Sequence, residues 1–156
     1  MLKLGIIGTG QISHEFIKAA KLSGHYELQA VYSRSLATAQ TFAQDYQNVE
    51  LFCDLTDFLN SALDVVYIAS PNSLHFEQAK QVILASKHAI IEKPAVSLPE
   101  EWKELVALSK QEEVYIFEAA RNYHEQAFDT ISDFLKDQPV LGANFTYAKY
   151  SSKMQA

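Results

Sequence analysis

Short apolar runs alternate along this chain with longer stretches in which apolar residues recur every three or four positions. The first run covers residues 2–7 and leads into two glycines, Gly8 and Gly10. The stretch that follows predicts an amphipathic helix ending at Gly24, with an apolar face formed by Ile12, Phe16, Ala19 and Ala20. The chain therefore begins with a buried strand that turns directly into a helix.

The same alternation of strand and helix patterns continues to about residue 118. Helical stretches separate the predicted strands, which cover residues 2–7, 26–32, 50–52, 63–69, 88–91 and 114–117. Strands that alternate with helices favour a parallel sheet with helices on both faces and right-handed crossovers. We therefore predict an α/β protein, a doubly wound parallel Rossmann sheet of about six strands.

The last part of the chain has a different pattern. Residues 123–136 are predicted to form a helix, and residues 141–150 alternate like a strand with Ala143, Phe145 and Tyr147 on one face. A single strand leaves its backbone groups and its apolar side without partners, so we interpret it as the first strand of a second sheet. The expected domains are a Rossmann domain over 1–120 and, over 121–156, the start of a truncated α+β domain.

Composition and charge exclude several classes of protein. The 156 residues are 48% hydrophobic and 21% charged, with a net charge of −6 and no basic block that would follow a nucleic acid or an anionic membrane. The single cysteine, Cys53, excludes an internal disulfide, and no metal-ligand spacing is shown by His14, His25, His88 and His124. We expect a cytoplasmic protein with no metal, no nucleic-acid partner and no membrane partner.

The glycine turn is the first candidate site. Gly8, Thr9, Gly10, Gln11 and Ile12 connect the first strand to its helix. In dinucleotide-binding proteins the first glycine permits a tight turn, and the second lets the backbone approach a pyrophosphate at the helix N-terminus. Ser13 replaces the third glycine but is small enough for close helix packing. The alternative interpretation is an ordinary strand-to-helix turn.

Ser33 and Arg34 follow the second predicted strand, where NAD-preferring proteins usually place an acidic residue for the ribose hydroxyls. No acidic residue is present at these two positions. A hydroxyl and a guanidinium can instead bind a ribose 2′-phosphate, which favours NADP(H) over NAD(H). A solvated surface role for Arg34 is the alternative.

Two further loops follow strands at the same predicted edge of the sheet, Ser70-Pro71-Asn72-Ser73-Leu74-His75 and Glu92-Lys93-Pro94. Together with the glycine turn and Ser33-Arg34, in this order and spacing, they resemble the glucose-fructose oxidoreductase / inositol dehydrogenase / MocA family over residues 1–150. The resemblance implies an NAD(P)-dependent oxidoreductase that transfers a hydride between nicotinamide and a sugar, a cyclic polyol or a related substrate.

The resemblance also implies roles for particular residues. Lys93 is expected to be the catalytic lysine, placed by Glu92 and Pro94, and all three residues are expected to contact the cofactor. Cofactor contacts are expected from Ser70, Pro71, Asn72 and His75. The alternatives are a surface lysine at 93 and a helix-capping role for His75.

The resemblance covers only the cofactor-binding part of the family's pattern. A histidine from the second domain completes the family's active site, and no residue here replaces it. We therefore expect the 156-residue form to be inactive by itself, and the complete protein to form a homo-oligomer through its second domain. The competing hypotheses are a non-catalytic NADP(H) sensor that docks its unpaired strand on a partner protein, and a fragment without a function of its own.

Overall fold

A computed structural model describes residues 1–137 and 139–146. Six strands and six α-helices alternate along these residues, with a short 3-10 turn at Asn72–Leu74 and another at Arg121–His124. The strands are β1 (Leu2–Ile7), β2 (Tyr26–Tyr32), β3 (Glu50–Phe52), β4 (Val65–Ile68), β5 (His88–Ile91) and β6 (Ile116–Glu118). The helices are α1 (Gln11–Ser23), α2 (Leu36–Ala43), α3 (Leu55–Asn60), α4 (His75–Leu84), α5 (Pro99–Gln111) and α6 (Gln126–Leu135).

The six strands form one parallel sheet in the order β3-β2-β1-β4-β5-β6. This order reverses direction between β1 and β4, which is the topological switch point of a doubly wound fold. Ligands of such sheets bind at the carboxyl ends of the strands beside this point. The structure confirms the predicted Rossmann sheet and places the glycine turn at the position where a ligand would bind.

Two apolar clusters cover the two faces of the sheet. One contains Ile7, Phe58, Ile68, Ile91 and Leu105, and the other contains Leu4, Ile6, Ile17, Val31 and Tyr67. Neighbouring residues such as Ile6 and Ile7 in β1, or Tyr67 and Ile68 in β4, belong to opposite clusters, because successive side chains of a strand point to opposite faces of the sheet. β1 and β4 are therefore buried on both sides, as strands in the middle of a parallel sheet must be.

The apolar face predicted for α1 is wrong in part. The buried residues of this helix are Ser13, Ile17 and Ala20, whereas Ala19 is exposed and Ile12 keeps 43% of its surface exposed. The hydroxyl of Ser13 donates a hydrogen bond of 2.8 Å to the carbonyl oxygen of Gly8, so this side of the first helical turn faces the glycine turn. The buried face of α1 therefore includes a polar residue that contacts the glycine turn.

The backbone contacts divide the described chain into two compact units, with the boundary between Ala120 and Arg121. In the second unit α6 forms as predicted, and none of its residues is buried. The strand predicted over 141–150 is absent from residues 141–146, and the remainder of it lies outside the described residues. A strand needs a hydrogen-bonded neighbour, and the described part of this unit supplies none. The sensor hypothesis needs an unpaired strand that docks on a partner protein, and residues 141–146 do not form that strand.

No helix in the described ranges, 1–137 and 139–146, has the length and apolar content needed to cross a membrane.

Candidate functional site

A cleft of about 370 Å³ lies at the carboxyl edge of the sheet, beside the switch point between β1 and β4. Its volume is within the range of small-molecule and cofactor sites. The loops after β1, β2 and β4 meet there. Its lining consists of Ile7, Gly8, Thr9, Gly10, Tyr32, Ser33, Arg34, Ala69, Ser70, Pro71, Leu74 and Gln78. Three of the four predicted loops therefore share one cavity.

Gly8 has a conformation and a position that other residues cannot adopt without strain. Its φ angle is +103°, and a Cβ atom at this position would lie 2.5 Å from the carbonyl oxygen of Ala69. Its N–H donates a hydrogen bond of 3.3 Å to the carbonyl oxygen of Tyr32. The turn is thus pressed against the ends of both neighbouring strands, and only glycine permits this approach.

Gly10, unlike Gly8, is not required by the packing of the protein itself. A Cβ atom here would meet no atom within 4 Å, and the backbone angles are ordinary. Gly10 is also the N-cap of α1, so no side chain caps the helix. In addition, the first turn of α1 carries no acidic residue. Unbonded N–H groups and the positive end of the helix dipole therefore face open space that suits a pyrophosphate.

The loop after β2 supplies one hydroxyl and one cation. Ser33 is half-buried and its N–H donates to the carbonyl oxygen of Phe52 at 3.1 Å, which ties it to β3. The Arg34 side chain is exposed, and no ion pair joins it to any residue in the described ranges. Among the described residues, no acidic side chain lines the cleft. This part of the cavity suits an additional negative charge.

Ser70 and Pro71 follow β4 and line the cleft beside the glycine turn. The Ser70 hydroxyl donates a hydrogen bond of 2.6 Å to the Oε1 atom of Gln78, which is only 8% exposed and also lines the cleft. Sequence reasoning missed Gln78. Its polar side chain interrupts the buried face of α4 one helical turn after His75, which was the available signal.

His75 lies beneath the cleft rather than in its lining. The ring is fully buried, with Nδ1 2.9 Å from the carbonyl oxygen of Pro94 and Nε2 2.9 Å from the carbonyl oxygen of Ser70. Carbonyl oxygens only accept, so the ring nitrogen that carries the proton donates to its carbonyl, and the tautomer decides which of the two nitrogens this is. His75 thus connects the third and fourth predicted loops to each other and has no free nitrogen for a ligand.

The loop after β5 carries Lys93. The N–H of Glu92 donates to the carbonyl oxygen of Ile68 at 2.8 Å, so the loop begins beside the end of β4. Glu92 accepts a hydrogen bond of 2.7 Å from the Tyr67 hydroxyl, and the Lys93 side chain is exposed. Burial, followed by the hydrogen bond to Glu92, raises the pKa of Tyr67 well above its usual value. Sequence reasoning did not identify Tyr67, because an apolar strand gave no reason to single out one aromatic residue.

The predicted site residues therefore fall into two groups. One group lines the cleft: Gly8, Thr9, Gly10, Ser33, Arg34, Ser70 and Pro71. The other group belongs to the same turns, or to the elements that follow them, without lining the cleft: Gln11, Ile12, Asn72, His75, Glu92, Lys93 and Pro94. No cluster of three or more His, Cys, Asp or Glu side chains in the described ranges could hold a metal ion.

Comparisons with known proteins identify the family. Residues 2–138 match the Gfo/Idh/MocA family, described as an oxidoreductase family with an NAD-binding Rossmann fold. The uncharacterized oxidoreductase YgjR of Escherichia coli is 39% identical over 99% of this chain and 48% of its own length. The scyllo-inositol 2-dehydrogenase (NADP(+)) IolU of Bacillus subtilis is 35% identical over 100% of this chain and 48% of its own length.

A solved structure shows the same fold. The crystal structure of the WlbA dehydrogenase from Bordetella pertussis, in complex with NADH and UDP-GlcNAcA, aligns with a TM-score of 0.80 and 25% identity. The alignment covers 86% of this chain and 39% of that chain. The present chain spans about half the length of the curated relatives it matches. By the family match and the conserved fold, the chain belongs to the Gfo/Idh/MocA oxidoreductase family with an NAD-binding Rossmann fold.

Proposed function

We propose that this chain is the cofactor-binding part of an NAD(P)-dependent oxidoreductase that acts on a sugar, a cyclic polyol or a related hydroxy or carbonyl compound. The observation that carries the proposal is the glycine turn. The close contact with Ala69 requires glycine at position 8, and a Cβ atom on Gly10 would meet no protein atom within 4 Å. The uncapped N-terminus of α1 faces this open space. This arrangement suits the pyrophosphate of a dinucleotide, and the nicotinamide, when bound, accepts or supplies the hydride.

The cleft residues would hold the cofactor by complementary contacts. The N–H groups of the first turn of α1 would bind the pyrophosphate, and Thr9 would contact the adjoining ribose. Ser70 and Pro71 would form a wall of the site beside the glycine turn, where the Ser70 hydroxyl is already oriented by Gln78. Asn72, at the start of the 3-10 turn, would extend this wall toward the nicotinamide.

Lys93 would stabilise charge on the substrate oxygen. During oxidation the carbinol hydrogen would pass with its electron pair to the nicotinamide, and the hydroxyl proton would pass to a base of the proposed second domain or to water. Negative charge would develop on the oxygen that becomes the carbonyl oxygen. A nearby ammonium stabilises that charge, and it polarises the carbonyl when the reaction runs in reverse. The Lys93 side chain is exposed and joins no ion pair in the described ranges, so its ammonium is available for this role.

We further propose a preference for NADP(H) over NAD(H). The support is the exposed Arg34 beside Ser33, together with the absence of an acidic side chain from the cleft lining. Replacing Arg34 by alanine should weaken NADPH binding about tenfold and change NADH binding less than about twofold, because only NADPH carries the 2′-phosphate. Lys103→Ala, which removes an exposed cation on α5, is the control. Equal losses for both cofactors would contradict the preference.

Turnover is proposed to need residues outside this chain. The curated relatives are about twice as long, and the loops described here include no histidine with a free ring nitrogen beside Lys93. We propose that a second domain completes the active site and forms the homo-oligomer. A cytoplasmic location stays a prediction.

Two measurements test the proposal. Titration of the 156-residue chain with NADPH, followed by cofactor fluorescence, should give saturable binding, and no binding at millimolar NADPH would overturn it. The complete protein should oxidise scyllo-inositol or a related polyol with NADP+, since IolU is a scyllo-inositol 2-dehydrogenase. Cofactor binding without turnover on any polyol or sugar would overturn the proposed substrate class while leaving the cofactor site intact.

A further inference from the structure

The backbone around Lys93 is held by side chains that come from outside its loop. Lys93 itself has an exposed side chain, yet the residue before it and the two residues after it each make a hydrogen bond to a different element. The three contacts come from β4, α4 and β6. An exposed lysine on a backbone that is fixed from three sides is unusual for an ordinary surface loop.

The first contact lies on the N-terminal side of Lys93. The Tyr67 hydroxyl donates to Glu92 Oε1 at 2.7 Å, and the N–H of Lys93 donates to Glu92 Oε2 at 3.1 Å. Tyr67 is fully buried and its ring stacks on that of Phe16 at 3.8 Å with an interplanar angle of 5°. A buried phenol thus orients a carboxylate, and the carboxylate in turn holds the peptide N–H of Lys93.

The other two contacts lie on the C-terminal side. His75 Nδ1 lies 2.9 Å from the carbonyl oxygen of Pro94. The N–H of Ala95 donates to Glu118 Oε1 at 2.9 Å, from the end of β6. The hydrogen bonds to the carboxylates of Glu92 and Glu118 are charge-assisted, so they are stronger than hydrogen bonds between neutral groups.

We propose that Tyr67 is a positioning residue for Lys93, acting through Glu92, with Glu118 holding the same loop from its other side. This inference rests on the proposed hydride transfer, in which Lys93 contacts the reacting oxygen. A lysine side chain has four rotatable bonds, so the place that its ammonium reaches depends on how well its Cα is fixed. Small displacements of a catalytic group lower the rate by large factors, and a fixed backbone makes such displacements smaller.

The kinetic test uses Tyr67→Phe in the complete protein, with scyllo-inositol and NADP+ as the probes. This substitution removes only the hydroxyl and keeps the buried ring. We expect kcat to fall about tenfold, because Glu92 loses one hydrogen bond to a charged group, while the Kd for NADP+ stays within about twofold. Tyr115→Phe, in which the tyrosine ring is 68% exposed, is the matched control and should change neither.

A double variant separates positioning from general loosening of the fold. If Tyr67 acts through Lys93, Tyr67→Phe should cause no further loss when it is added to Lys93→Ala. The same tenfold loss in both backgrounds would overturn the inference, because the effect would then not pass through Lys93. Full turnover of Lys93→Ala by itself would instead overturn the catalytic role proposed for Lys93.

Hydrogen exchange gives a readout that needs no substrate. In Tyr67→Phe the Lys93 amide should exchange about tenfold faster, while the Ala95 amide, held by Glu118, stays within about twofold. In Glu118→Ala the order should be reversed, and Glu118→Gln, which keeps an acceptor oxygen, should restore protection of Ala95. An unchanged Lys93 amide in Tyr67→Phe, or equal acceleration of both amides, would overturn the positioning role whether or not the substrate class is correct.

Discussion

The glycine turn and the Lys93 loop lie at the same edge of the sheet but are built in opposite ways. The glycine turn depends on missing side chains: a Cβ atom on Gly8 would lie 2.5 Å from the Ala69 carbonyl oxygen, and Gly10 leaves open space. The Lys93 loop depends on added side chains, since Tyr67 and Glu118 support it from two strands. Backbone N–H groups suit a phosphate that is only bound, whereas a reacting atom needs an oriented side chain.

The largest effect is expected from removing the side chain on which the chemistry depends. Lys93→Ala in the complete protein should lower kcat about a thousandfold, because the developing charge on the substrate oxygen loses its ammonium. The Kd for NADPH should stay within about twofold, since Lys93 does not line the cleft. Steady-state kinetics with cofactor titration measure both.

Lys103→Ala is the control for loss of one exposed positive charge and should retain full activity. A parallel loss of cofactor affinity and kcat in Lys93→Ala would mean that the two regions do not divide binding and chemistry as described.

The next effect tests the glycine turn as a packing requirement. Gly8→Ala should destabilise the chain by about 3 kcal/mol, from the strained φ angle together with the overlap with Ala69. Gly24 also has a positive φ, +69°, but a Cβ atom there would meet nothing within 4 Å. Gly24→Ala should therefore cost only about 1 kcal/mol. Urea unfolding of the two variants compares them, and equal costs would show that the contact with Ala69 is unimportant.

Gly10→Ala separates binding from stability within the same turn. A methyl group at this position meets no atom of the protein, so the free energy of unfolding should change by less than about 0.5 kcal/mol. It would occupy the space in front of the helix N-terminus, and NADPH affinity should fall about tenfold or more. Fluorescence titration beside urea unfolding checks both values. Unchanged affinity would place the pyrophosphate elsewhere.

The smallest effect is a dependence on pH from the Lys93 loop. Because the folded pKa of Tyr67 lies above its unfolded value of about 10, the folded state holds this proton longer, and stability is lost as pH rises above about 10. Tyr67→Phe should reduce this loss by about 1 kcal/mol per pH unit at most. Urea unfolding of both proteins between pH 9 and about 11.5 measures the difference in slope. Identical slopes would contradict a protonated donor at Tyr67.

The hydrophobic pattern was enough to predict the order of the elements. The predicted strands at residues 2–7, 26–32, 50–52 and 88–91 coincide with β1, β2, β3 and β5, because buried parallel strands are short apolar runs bounded by turns. The prediction for 63–69 was longer than β4, which covers only Val65–Ile68. Such ends depend on which residues find a hydrogen-bonded partner, and a pattern does not contain that information.

Contacts between distant residues were beyond the sequence pattern. From the sequence alone, His75 fits a ligand contact and a helix cap equally well. Only the fold shows that its ring lies between the carbonyl groups of Ser70 and Pro94. Tyr67 and Glu118 lie 26 and 25 residues from Lys93 in opposite directions, so nothing local connects them to it. The strand predicted over 141–150 shows the same limit, because a segment with an alternating pattern forms a strand only where a partner strand is present.

The sequence by itself determined the Rossmann sheet, the glycine turn and the set of loops at one edge, because periodicity and glycine positions are local properties of the chain. The tertiary structure decided which face of α1 is buried, that His75 lies beneath the cleft, and which side chains hold the backbone of Lys93. These features depend on pairs of residues brought together by the sheet, and their energies come from contacts that exist only after the strands have paired.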